Sequence, residues 1–133
     1  MIILHPQQDN KLAVTVPCVS LELAIASLPT NTYKVVETLD INNDFFDAYV
    51  FNQDKGAVIN IEKAKEIKRN QFRQVRKPLL EQLDVEYMRA VESSNAAKKK
   101  IIVAKKQELR DVTAIELPDN VDELVKFWPD VLN

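Results

Sequence analysis

The sequence predicts an α+β protein: a small N-terminal antiparallel β-sheet with one short helix, then an α-helical hairpin and a short terminal helix. Three observations carry this reading. Short runs of β-branched and aromatic residues dominate up to about residue 60. From Asn60 onward, apolar residues recur at three- to four-residue steps. Charge divides along the same lines: residues 1–60 carry three basic and seven acidic side chains, residues 61–110 fourteen and seven, and residues 111–133 one and six. A basic middle between acidic ends favours attraction between parts of the chain or between copies of it.

The first strand candidate is Ile2-Ile3-Leu4, joined by the turn chemistry of Gln7-Gln8-Asp9-Asn10 to Leu12–Val16. Ser20 is placed to cap a helix with Leu21, Ala24, Ile25 and Leu28 on one face, stopped at Pro29. Tyr33–Leu39 and Phe45–Phe51 read as further strands. Asp54-Lys55-Gly56 supplies a turn, and Ala57-Val58-Ile59 returns as a strand.

Asn60 suits a helix cap before Ile61, Ala64, Ile67, Gln71/Phe72, Val75 and Leu79, with Glu62, Lys65, Glu66, Arg69, Arg73 and Arg76 opposite. Pro78 predicts a kink or restart near Arg76-Lys77, and Asp84 offers a second cap ahead of Val85, Met88 and Val91. Ser93-Ser94-Asn95 forms a loop, with Asn95 capping a helix from about Ala96 to Val112 whose stripe is Ile101, Ala104, Glu108/Leu109 and Val112. Two such helices cover each other as an antiparallel hairpin. Either Asn120 or Asp122 caps a last helix carrying Leu124, Val125, Phe127 and Trp128, ended by Pro129. The expected division is a β-rich module over residues 1–59 and a helical part over 60–133, or one continuous domain.

No catalytic constellation is expected. Gly56 is the single glycine, so glycine-rich phosphate loops and dinucleotide fingerprints cannot be built. Cys18 is the single cysteine, in the apolar setting Val16-Pro17-Cys18-Val19, and reads as a buried, inert thiol. His5, the single histidine, reads as structural. Asp44 and Asp47 fall three apart on an expected strand and so on opposite faces, which argues against acid–base work. No cofactor or metal is expected, and neither a secretory signal nor a membrane span is read from the sequence.

Binding residues are therefore sought among exposed large groups and charges. Phe127 and Trp128 on a short helix either dock it onto the core or bind a partner, and Arg69, Arg73, Lys99 and Lys106 are further partner-binding candidates. The run Lys98-Lys99-Lys100 with Lys105 and Lys106 has the composition of a phosphate-binding patch. Seven acids interrupt the segment, however, and a solvated helical face, or a face for acidic protein partners, is the better reading.

The segment Ile61–Leu132 carries a more specific pattern. It reads Ala64-Lys65-Glu66-Ile67, Arg73-Gln74-Val75-Arg76, then Leu80-Glu81-Gln82-Leu83-Asp84-Val85-Glu86-Tyr87-Met88-Arg89-Ala90-Val91-Glu92. Ala104-Lys105-Lys106-Gln107-Glu108-Leu109-Arg110-Asp111-Val112 and Leu124-Val125-Lys126-Phe127-Trp128-Pro129 follow. This resembles the C-terminal helical hairpin of small tailed-bacteriophage proteins, several described as tail or tail-fibre assembly proteins. His5-Pro6, Ala13–Pro17 and Asn43–Tyr49 resemble the β-rich module that precedes it, although Phe45 and Tyr49 stand where those proteins carry a basic residue and Trp.

The resemblance implies a non-enzymatic protein that binds tail or tail-fibre subunits, as an assembly chaperone or a minor structural component. It places the chain in the host cytoplasm during assembly or in the virion tail, with homo-oligomers among its expected states. A DNA-associated phage protein using the basic hairpin is the alternative. Arg76 with Asp111, or Arg110 with Asp84, are expected to set the hairpin's register.

Overall fold

The computed structural model describes all 133 residues and is α+β. It divides into two compact units, Met1–Ala64 and Lys65–Asn133.

The first unit is built on antiparallel strands. β1 (Ile2–Pro6) lies between β2 (Leu12–Thr15) and β3 (Lys34–Val36), in the order β2-β1-β3. The β1–β2 register runs from Ile3 opposite Thr15 to Pro6 opposite Leu12. The connecting turn needs two residues of positive φ, and Asp9 and Asn10 (both φ 58°) supply it, side chains that tolerate the left-handed region. Helix α1 (Leu21–Ala26) starts where Ser20 accepts the amide of Leu23 and stops two residues before the Leu28-Pro29 pair. β4 (Tyr49–Asn52) and β5 (Gly56–Ile59) form a hairpin, and a bridge from Lys11 to Val50 links it to β2. Ile3, Leu4, Leu12, Phe45 and Ala48 are fully buried, each large side chain contributing about 1.5–3 kcal/mol by leaving water.

Gly56 (φ +85°) is the position where this unit requires glycine. A β-carbon there would lie 2.8 Å from Leu4 Cδ1, inside any real contact distance. Lys34 closes the same corner by donating to the carbonyls of Gln53 and Asp54 at 3.4 and 2.5 Å.

Two segments of this unit differ from the strands expected. The strand foreseen over Tyr33–Leu39 shrinks to Lys34–Val36, and the first half of Phe45–Phe51 is a 3-10 turn, Asn43–Ala48. Asn42 explains the second difference: its Oδ1 accepts the amide of Asp44, starting a turn that tucks Phe45 and Ala48, three apart, to the inside. Asp44 and Asp47 then share one side of an exposed turn instead of opposite faces of a strand.

The second unit is a helical hairpin. α2 spans Ile61–Glu92, its first turn capped by Asn60, which accepts the amide of Lys63. Pro78 sits inside it without a restart, and Asp84 is mid-helix, not a cap. Pro78 and its neighbour Lys77 are both exposed, so the freed carbonyl one turn earlier lies on the solvent side. The loop turns at Ser94 (φ 54°), and Asn95 accepts the amide of Lys98 to begin α3 (Ala96–Asp111). The stripe of α3 is Ile102 and Leu109, leading to Val112, and not Ile101 and Ala104, which are exposed. α4 (Val121–Lys126) is capped by Asn120, which accepts the amides of Asp122 and Glu123, and it buries Leu124. No helix is long and apolar enough to cross a membrane.

Candidate functional site

Sequence reading placed partner binding on six residues, and the structure gives most of them internal work. Phe72, fully buried on α2, receives the ring of Phe127 at 6.4 Å and the edge of Trp128 at 5.5 Å in a T-shaped arrangement. Lys68 is buried beside them, its Nζ 5.5 Å over the Trp128 ring and donating to the Val125 carbonyl at 3.3 Å. This cluster docks the α4 segment onto α2 and leaves Trp128 38% exposed. Nothing in the sequence marked Lys68 as buried, because a lysine on a helix normally snorkels to solvent.

Arg73 donates to Glu66 at 2.7 Å and Arg69 lies 3.7 Å from the same carboxylate. The hydrogen bond from Arg73 holds the Glu66 carboxyl below the usual carboxylate range. Lys65 pairs with Asp119, tying α2 to the start of the α4 segment.

Across the hairpin, Lys106 on α3 pairs with Asp84 on α2 at 2.5 Å and stands 5.7 Å over the Tyr87 ring. The expected pairs differ. Asp84 takes Lys106 and not Arg110, and Arg76 reaches no carboxylate. It donates to the Leu109 and Arg110 carbonyls (3.3 and 3.1 Å) and to Thr113 Oγ1, satisfying the orphan end of α3. Asp111 accepts from Gln107.

Two features of the hairpin surface remain. One is an apolar and charged row. On α2, Asp84, Met88 and Val91 follow at steps of four and three. On α3, Lys99, Val103, Lys106 and Arg110 do the same. The Lys106–Asp84 pair brings the rows side by side. Met88 is 59% exposed and Val103 53%. The sequence holds this signal as one face of Val85, Met88 and Val91, which a hairpin of mutually covering helices would be expected to bury. The second feature is a cavity of about 480 Å³ lined by Leu79, Leu83, Glu86, Lys105, Glu108 and Val131 among others.

The first unit offers less. His5 is buried, with Nε2 3.2 Å from Thr15 Oγ1 and Nδ1 without a hydrogen-bond partner. Cys18 is exposed, not buried: Val16 and Val19 on either side also face solvent. No group of three or more His, Cys, Asp or Glu side chains that could hold a metal ion occurs.

No family model, no curated protein and no solved structure matches the chain.

Proposed function

We propose that the chain is a non-enzymatic tail-module protein of a tailed bacteriophage, binding tail or tail-fibre subunits as an assembly factor or minor structural component. Its helical hairpin is the binding element. The reading is supported by the resemblance over Ile61–Leu132. The observation that carries it is the exposed row Met88, Val91 and Val103 among charged neighbours. Exposed apolar groups rimmed by charge mark protein–protein surfaces.

The alternative, a DNA-associated protein, draws on Lys98-Lys99-Lys100. It is weakened because Arg69, Arg73 and Lys106 are already engaged by Glu66 and Asp84. Phosphate binding would also show a steep loss of affinity with salt.

Quantitative mass spectrometry of purified virions and infected-cell extracts tests the proposal. A fixed copy number in virions makes the chain a structural part. Absence from virions with co-purifying fibre or tail subunits makes it an assembly factor. Absence from virions without co-purifying fibre or tail subunits, or salt-sensitive binding to DNA in its place, overturns the reading.

A further inference from the structure

The facing stretches of the two hairpin helices carry opposite charge. Leu80–Glu92 holds four acids and one base, whereas Lys98–Arg110 holds six bases and one acid. Within the hairpin, Lys106–Asp84 is the one ion pair between α2 and α3. Most of this complementary charge is therefore directed outward.

Height along the hairpin matters as much as sign. Starting from the Lys106–Asp84 pair, Met88 lies about one turn toward the loop on α2, and Val103 about one turn toward it on α3. In the other direction, Glu81 and Arg110 each lie about one turn away. The face thus presents two apolar groups at one level and an acid and a base at another, each pair split between the helices. Such a face is complementary to itself under a two-fold axis parallel to the helices.

We propose that this face joins two copies of the chain into an antiparallel four-helix bundle, α2 of each copy lying along α3 of the other. Met88 of one copy packs on Val103 of the second, and Glu81 faces Arg110 of the second. A two-fold interface is isologous, so each contact occurs twice and any substitution is felt twice. The geometry follows from the hairpin alone, and because it covers the row proposed for tail subunits, a tail subunit and the second copy compete for that face.

Sedimentation of the full chain over a range of concentrations tests it. The expected result is a monomer–dimer equilibrium that weakens as salt is raised. Met88→Asp and Val103→Asp each weaken the dimer by about tenfold or more, because they place a hydrated charge on the apolar contact. Both positions are exposed in the single copy, so circular dichroism stays unchanged. Ile101→Asp, 58% exposed but about 200° around α3 from Val103, leaves the dimer intact.

A charge exchange fixes the orientation. Glu81→Lys and Arg110→Glu each weaken self-association, and an equimolar mixture of the two recovers a heterodimer, since both symmetry-related contacts then join opposite charges. A chain that stays monomeric at all concentrations overturns the proposal. So does a dimer indifferent to Met88→Asp and Val103→Asp, or a mixture that fails to recover.

Discussion

Lys106 reaches across the hairpin to Asp84 and closes an ion pair at 2.5 Å. The lysine side chain is 17% exposed and the carboxylate 60%, so solvent screens the pair from one side. Its stem covers the hairpin seam while its ammonium also meets the Tyr87 ring. Lys106→Ala is expected to cost about 1 kcal/mol, the sum of a weak pair and a weak cation–π contact. Lys106→Met, which keeps the stem, is expected to cost less. Urea denaturation of the two variants measures the difference.

Phe72→Ala is expected to be the most damaging single change in the second unit. The ring is fully buried and carries both Phe127 and Trp128, so truncation leaves a cavity and undocks the α4 segment. A loss of about 3–5 kcal/mol is expected. Trp128 is the single tryptophan, and its emission should shift to the red as its ring loses Phe72.

Gly56→Ala combines a positive φ with a clash against Leu4 Cδ1. It is expected to destabilise the first unit by about 1–3 kcal/mol. Hydrogen exchange should show lost protection in β4 and β5, read from the amides of Val50 and Val58, which face each other in that hairpin.

Glu66 should titrate below an ordinary glutamate, chiefly because Arg73 donates a hydrogen bond to it, with charge from Arg69 adding to the effect. A carboxyl depressed by folding contributes stability above its unfolded pKa, and that contribution is lost as pH falls through its folded pKa. In Arg73→Ala the Glu66 carboxyl is expected to move up toward its ordinary value. An NMR titration of the side-chain carboxyl reads the shift directly.

Helix starts were the most legible part of the sequence. Asn60, Asn95 and Asn120 each precede an amphipathic run, and each accepts an amide two or three residues on. The turn at Gln7–Asn10 and the Gly56 corner were legible for the same reason, since positive φ is chemically selective. Phe45–Phe51 misled because aromatic residues suit a strand and a buried 3-10 turn equally, and the decision lay with the Asn42 side chain. Leu109 and Val112 were placed correctly, but the start of the α3 stripe slipped by one residue because Ile101, Ile102 and Val103 offer three apolar choices in succession. Periodicity fixes the spacing of a stripe, and only the facing helix fixes its phase. The candidate surface was obscured by the same ambiguity: Met88 and Val91 fit an apolar helical pattern whether it faces inward or outward.

The exposure of Cys18 has a practical consequence for experiments on the native chain. One exposed thiol stands in Met1–Ala64 and one indole, Trp128, in Lys65–Asn133. A thiol-specific fluorophore whose absorption overlaps indole emission would make a donor–acceptor pair without any added mutation. Energy transfer between them would then follow the separation of the two units through folding, dimerisation and partner capture in one and the same sample.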